Sequence, residues 1–340
     1  MGAWGVIMIQ FILKRLAVAI PLVLGASFIT FSILYFVPGD PVVAMLGDKA
    51  NDAAMVEKLR NELGLNDSFA VRYGRFLKGL VQGDLGESLV TGNAVQEELR
   101  LALPATVELS LCGLGIAVLI GLFSGVISAM KQYSVWDYGF MVVALLGVSI
   151  PVFWLALLLS YFFAFKYPWF DMAGRMSQQY SDFEPITHLM IVDSILTLDW
   201  EVLLDVLRHI ALPAITLGLI GSALIARMTR SSVLEVRNRD FVRTAMAKGL
   251  APREVLWHIL RNAMLPVVTV VGLQFGALLG GAIITEEIFA WPGLGTYLVQ
   301  AIRYRDIVAV QGTVMLIVVM FVVVNLAVDV LYAVIDPRTR

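Results

Sequence analysis

The sequence has little charge, one cysteine and three histidines. Only 15% of its 340 residues are charged, against roughly 25% in soluble domains, and 59% are hydrophobic. The formal net charge of -2 gives no sign of a surface that binds nucleic acid. Cys112 lies in an apolar run, where a lone thiol is expected to pack, and it leaves no intrachain disulfide possible. This composition indicates a protein that crosses a membrane several times.

Motifs for covalent or metal chemistry are also lacking. His188, His209 and His258 are isolated in sequence, and the chain contains no His-Glu-x-x-His and no Gly-x-Ser-x-Gly pattern. It also lacks a phosphate-binding loop, because Lys248 and Gly249 have neither the preceding glycine nor the following hydroxyl residue. We therefore expect no catalytic residue, no metal site and no nucleotide on this chain. If ATP drives the protein, another chain hydrolyses it.

Six apolar runs approach or exceed the roughly 20 residues that a membrane-spanning helix needs. They predict spans at 16–37, 104–130, 138–165, 210–225, 264–284 and 307–335. The expected fold class is therefore an all-α polytopic membrane protein with six transmembrane helices. The first run is interpreted as a retained span, and residues 1–7 as a short extension. Pro151 interrupts the third span, where it predicts a bend or, alternatively, a gate hinge.

The distribution of basic residues predicts the orientation, because basic residues in short loops stay in the cytosol. With both termini cytosolic, the cytosolic segments contain Lys14, Arg15, Lys131, eight basic residues from 227 to 261, Arg338 and Arg340. Residues 1–37 then hold the first span, 38–103 form an external helical segment, 104–335 form the core and 336–340 form a cytosolic tail. The acidic external loop at 166–209 is interpreted either as a solvated loop or as a surface for a soluble partner.

Several residues within the predicted spans are candidates for helix packing or for the solute pathway. Glycines at four-residue spacing in the fifth span predict a close helix contact, although the same smooth face could line a path. Glu108 is placed near a helix N-terminus or against a partner, and Asp329 is expected to pair with an arginine of the central basic loop. The candidates are Gly272, Gln274, Gly276, Gly280, Glu108 and Asp329.

The basic segment at 237–263 is the one polar, helix-patterned run between two long apolar ones. It predicts two short cytosolic helices hinged at 249–252, because glycine suits a helix end and proline a helix start. Such a pair needs either a groove on a partner protein or the anionic surface of the membrane.

Several stretches of the chain resemble one protein family. Residues 243–249 (RTAMAKG) and 260–269 (LRNAMLPVVT) resemble the cytosolic loop of ABC importer membrane subunits in the dipeptide/oligopeptide/nickel family. Arg243 and Thr244 replace the Glu and first Ala of the general motif, and Pro266 lies about one helical turn further from Gly249. Peptide-type permeases share both departures. Further family-like stretches are 37–41, 83–88, 150–154, 226–232, 285–295 and 336–338.

The resemblance implies a type I ABC importer of a bacterial inner membrane. Its expected partners are a homologous second permease subunit, two cytosolic ATPase subunits that bind ATP and Mg, and an extracytoplasmic solute-binding protein. The 166–209 loop favours a dipeptide importer. Alternatives are an oligopeptide, glutathione, nickel-chelate or cationic-peptide permease, or an ion-coupled secondary transporter working alone.

The resemblance also implies roles for particular residues. Trp291 is interpreted either as part of an external gate or as a simple anchor at the membrane interface. The expected ATPase-coupling residues are Arg243, Thr244, Ala245, Lys248, Gly249, Leu250, Pro252 and His258, and the expected external gate or docking residues are Glu286, Trp291, Pro292 and Gly293.

Overall fold

The computed structural model describes residues 3–36, 41–46, 52–62 and 64–335. The predicted tail at 336–340 and most of the family-like stretch at 37–41 lie outside these residues. The α-helices of the described part are numbered in chain order. They are α1 (Ala3–Phe36), α2 (Pro41–Leu46), α3 (Ala53–Glu62), α4 (Phe69–Gln82), α5 (Val95–Met130), α6 (Val135–Ser149), α7 (Val152–Ser160), α8 (Met190–Leu196), α9 (Trp200–Arg237), α10 (Asp240–Ala247), α11 (Pro252–Gly281), α12 (Ile283–Ile288), α13 (Leu294–Arg303) and α14 (Ile307–Ile335).

Five helices in the described residues are long and apolar enough to span a membrane, namely α1, α5, α9, α11 and α14. Helices α6 and α7, with the π-helical turn that follows them, form a sixth span if they are counted together. The axes of these two helices differ by 104° at Pro151. Pro151 has an extended backbone just before α7, and it has no N–H with which to continue the hydrogen bonds of α6. The prediction of an all-α, six-span protein is confirmed.

Three of the predicted span starts, at 104, 210 and 264, are wrong, because amphipathic ends extend the apolar runs. Helix α5 begins at Val95, not at 104, and α9 occupies 200–237 where the prediction placed 210–225. Helix α11 begins at Pro252 and continues to Gly281, so the second of the two predicted short cytosolic helices is the start of the fifth span.

Helices α5 and α9 pack with their backbones in close approach. A Cβ on Gly121 would meet Ile225 at 2.7 Å, and a Cβ on Gly125 would meet the carbonyl oxygen of Ala226 at 2.6 Å. From the other side, Gly218 of α9 faces Ile116 just as closely. Small residues are the usual means of bringing two helices together in lipid, where no hydrophobic effect drives them.

The glycines of α11 that were predicted to form a close helix contact differ in how near other helices come to them. Gly272 lies against Val328 of α14, and a Cβ on Gly276 would lie 3.1 Å from the ring of Phe321. At Gly280, no described residue beyond its chain neighbours and its own helix backbone lies within 4 Å of the Cβ position, so Gly280 is not part of this contact. The side chain of Gln274 instead points towards α9, where it lies beside Gly221.

The predicted external helical segment contains α3 and α4, and α4 packs against α1 through aromatic rings. Phe28 and Phe31 of α1 meet Phe69 of α4 edge to face, with ring centroids 5.9 and 5.3 Å apart. The hydroxyl groups of Ser27 and Tyr73 are 3.0 Å apart in the same contact. This segment is therefore anchored on α1.

The α5–α9 contact can be tested with two alanine substitutions in the same helix. We expect Gly121→Ala to lower stability by about 1–3 kcal/mol, because the added methyl group must displace Ile225. Gly115→Ala has open space at its Cβ and should be neutral or stabilising. The measurement is the thermal unfolding of each purified variant in detergent, and equal midpoints for the two would contradict the close approach.

Candidate functional site

The turn between α10 and α11 has the local structure that its sequence predicts. Gly249 has φ +79°, a left-handed conformation that glycine adopts without strain. Pro252 then occupies the first position of α11, and the carboxylate of Glu254 accepts the N–H of Ala251 at 3.0 Å. The chain therefore turns within a few residues, and α10 packs against the first turns of α11.

This helical pair has one buried face and one open face. Val242 of α10 is buried in a cluster that includes Val236, Val255 and Ile259. The open face combines basic and large apolar side chains, among which Trp257 is 65% exposed. Of the predicted coupling residues, Arg243, Thr244, Lys248, Gly249, Pro252 and His258 are exposed, while Ala245 and Leu250 are half-buried.

Near this pair, a charge cluster around the buried Asp137 joins α5, α6 and α9. Arg230 donates two hydrogen bonds to Asp137, from Nε at 2.7 Å and from Nη2 at 2.8 Å. Asp137 also accepts the hydroxyl of Ser128 and, at 2.9 Å, the N–H of Tyr133. Sequence reasoning missed this cluster, and its one signal was that Arg230 lies in the family-like stretch at 226–232.

At the opposite end of the bundle, Glu286 is fully buried in α12. Its carboxylate accepts the hydroxyl of Thr106 at 2.6 Å and the N–H groups of Gly295 and Thr296 at 2.7 and 3.2 Å. Thr106 in turn accepts the N–H of Leu294 at 2.8 Å. Burial raises the pKa of Glu286 above its ordinary value, although these three hydrogen bonds oppose the shift.

The other predicted external residues lie around this carboxylate. Trp291 is fully buried and donates its Nε1–H to the carbonyl oxygen of Ala105 at 2.9 Å, so its interpretation as an interface anchor is wrong. A Cβ on Gly293 would collide with Glu286. Pro292 alone of the four is exposed. Buried residues form no docking surface, and Glu286, Trp291 and Gly293 fix the elbow between α12 and α13. Their role in an external gate stays a prediction.

A buried ion pair attaches the long 166–209 loop to α5. Glu108 and Arg175 form the pair, and their side chains are 5% and 8% exposed. Glu108 also accepts the N–H of Ile191 at 2.7 Å, while Arg175 donates to the carbonyl oxygen of His188 at 3.0 Å. The guanidinium group lies 5.6 Å from the ring centre of Trp291. Since α5 begins at Val95, Glu108 is not at a helix N-terminus, and that interpretation is wrong.

Asp329 also pairs with a different residue from the one expected. It lies 3.2 Å from Arg15 of α1, not beside an arginine of the central basic loop. Both side chains are partly exposed, at 30% for Asp329 and 49% for Arg15. This pair links the first and last spans.

Asp205, in the first turns of α9, holds the 166–209 loop to this helix. Asp205 accepts the N–H and hydroxyl of Ser177 at 2.7 and 2.5 Å. The fold also brings Asp171 and His209 beside Asp205, although His209 is isolated in sequence. The Nδ1 of His209 lies 2.8 Å from the carbonyl oxygen of Asp205, which can only accept, so this nitrogen is a donor and unsuited to a metal.

Comparison with known proteins defines the class. Residues 100–340 match the family described as "Binding-protein-dependent transport system inner membrane component", and residues 8–110 match the corresponding N-terminal family. The chain therefore belongs to the inner membrane components of binding-protein-dependent transport systems, and it is a multi-pass membrane protein.

Its relatives at the level of individual proteins are permeases. It is 45% identical over 334 residues to the di/tripeptide transport system permease protein DppB of Pseudomonas aeruginosa, covering 98% of this chain and 99% of that protein. The dipeptide permease proteins DppB of Alkalihalophilus pseudofirmus and Escherichia coli are 44% and 43% identical, each over 98% of this chain and at least 99% of the relative.

A solved structure shares the fold. The methionine ABC transporter MetNI, in an inward-facing conformation, matches 69% of this chain and 94% of its own with a TM-score of 0.52 and 16% identity. The expected ABC importer permease fold is thereby confirmed.

The elbow around Glu286 can be tested through Thr106. We expect Thr106→Val to destabilise the protein by about 1–3 kcal/mol, because it leaves the buried N–H of Leu294 without its acceptor. Thr106→Ser keeps the hydroxyl and should lose less stability. Thermal unfolding in detergent compares the two, and a serine variant as unstable as the valine variant would contradict the role of the hydroxyl.

The loop attachment at Glu108 can be tested by a double-mutant cycle. We expect Glu108→Gln alone to cost about 3–5 kcal/mol, because it leaves the charge of Arg175 buried without its partner. Adding Arg175→Gln should restore much of that loss. Limited proteolysis of the loop at 176–187, together with thermal unfolding, measures the effect. Additive single-mutant costs would contradict a coupled pair.

Proposed function

We propose that this chain is the permease subunit of an ATP-driven importer that carries di- or tripeptides across a bacterial inner membrane. The observation that carries the proposal is identity of 43–45% to three DppB proteins over 98% of the chain. A likeness of this extent includes the membrane spans, the external loop and the α10–α11 turn together. The proposed complex contains a second, homologous permease subunit and an extracytoplasmic binding protein that delivers the peptide.

We assign the open face of α10 and of the first turns of α11 to contact with a cytosolic ATPase. Exposed Met246, Trp257 and His258 are suited to insertion into a groove on a partner, whereas the buried Val242 holds α10 to the bundle. In this arrangement ATP and Mg bind to two ATPase subunits and not to this chain. The assignment also places both termini in the cytosol.

The opposite end of the bundle is then external. There the loop attached through Glu108 and Arg175 presents Asp182 and Glu184 to solvent, which suits a binding protein with a basic rim. Glu108 of α5 and Asp329 of α14 each pair with an arginine, and the two pairs lie at different ends of the bundle. They form no relay, which favours ATP-driven transport over ion coupling.

Reconstitution tests the proposal directly. The complete complex in vesicles, with the binding protein outside, should accumulate a labelled dipeptide only when ATP is supplied to the ATPase subunits. Uptake by this chain and its homologous permease without the ATPases would overturn the proposal.

The coupling surface can be tested at Gly249. We expect Gly249→Val to reduce co-purification of the ATPase and ATP-dependent uptake together, because a β-branched residue at φ +79° strains the turn by about 1–2 kcal/mol. Gly249→Asn is the matched control, since asparagine tolerates this conformation. Normal uptake by the valine variant, with its spans folded, would remove this turn from the coupling mechanism.

A further inference from the structure

Helix α9 is the most enclosed of the long helices, and one strip of it is nevertheless uncovered. Within its most apolar stretch 72% of the residues are buried, against 33% or less in the other spans. Leu224, Arg227 and Ser231 are exposed along a single line at a spacing of three and four residues. A strip of this kind on a central helix faces a second subunit or the solute pathway.

The neighbours of the strip define its position. Arg230, on one side of it, bonds Asp137 of α6. Gly221, on the other side, lies against Gln274 of α11. The strip therefore lies between α6 and α11, where no helix of the described chain covers it.

Arg227 has no hydrogen-bond or ion-pair partner among the residues that the structure describes. Its neighbours on the same helix are accounted for, because Arg230 pairs with Asp137 and Arg237 donates to the carbonyl oxygen of Ala129. Arg227 lies towards the α10 end of α9, where its exposed guanidinium group can bind an anion that moves along the strip.

Gln274 is a second polar group at the same opening. Its side chain is partly exposed and forms no hydrogen bond with a described residue. The six residues from Gly221, beside Gln274, to Arg227 correspond to about 9 Å along α9 at ~1.5 Å per residue. An extended di- or tripeptide has a similar length, about 7–10 Å at ~3.3–3.6 Å per residue.

We propose that Arg227 binds the C-terminal carboxylate of the peptide during its passage, and that the Gln274 amide binds a peptide group. A guanidinium group forms paired, charge-assisted hydrogen bonds with a carboxylate, and a side-chain amide matches the donor and acceptor of a peptide bond. The inference rests on the proposed function, since it names residues of that pathway that contact the substrate.

Uptake by the complete reconstituted complex provides the first test. We expect Arg227→Gln to reduce ATP-dependent dipeptide uptake about tenfold or more, as loss of a charged hydrogen bond implies. Arg227→Lys should retain part of the activity, and stimulation of the ATPase by the peptide-loaded binding protein should persist. The control is Arg208→Gln, an exposed arginine on the same helix outside the strip, which should transport normally.

Protection of a thiol next to Arg227 from a thiol reagent shows which group of the peptide binds there. In a Cys112→Ala background, Leu224→Cys should react with a water-soluble thiol reagent applied from the α10 side, without the binding protein. A dipeptide should slow this reaction more than its C-terminal amide does, and Arg227→Gln should abolish the difference. A normal uptake rate in Arg227→Gln, equal protection by the two peptides, or protection that follows only the anionic lipid content would each overturn the inference. Failure of the unaltered complex to take up peptide would instead overturn the proposed function.

Discussion

The close approach of α5 and α9 is the constraint on which the rest of the fold depends. In lipid, two apolar helices gain little from leaving their surroundings, so dispersion contacts and interhelical hydrogen bonds determine whether they associate. Gly121 and Gly125 remove side chains from α5 where Ile225 and Thr229 must fit, and Gly218 does the same on α9. The remaining spans are arranged around this pair, with α6 and α7 along α9 and α11 in contact with both helices.

Polar groups hold the two ends of this arrangement. At the α10 end, Asp137 and Arg230 join α6 to α9. At the α13 end, Glu286 holds the elbow between α12 and α13, and Glu108 holds the 166–209 loop. Each carboxylate accepts several hydrogen bonds, which makes a charged or polar group tolerable where little water reaches it. The helix bundle therefore has an apolar middle and two polar ends, and the polar groups at each end hold the loops on that side.

Local features of the structure could be predicted from the sequence, and distant contacts could not. The turn at Gly249 and Pro252 followed from residue preferences that act within a few positions. The span boundaries at Val95 and Trp200 were missed because helices extend beyond the apolar layer, where the sequence is amphipathic and hydropathy gives no signal. The side-chain partners of Glu108 and Glu286 are Arg175 and Thr106, which lie 67 and 180 residues away, so only the fold brings them together.

The continuity of α11 has a mechanical consequence. The helix runs about 45 Å, at ~1.5 Å per residue, from the turn beside α10 to the elbow at α12. Pro266 lacks the N–H for one helical hydrogen bond, so bending would be concentrated at this residue while the segments on either side stay rigid. Gly272 and Gly276 contact Val328 and Phe321 of α14, so a tilt of the second segment would pivot at this contact.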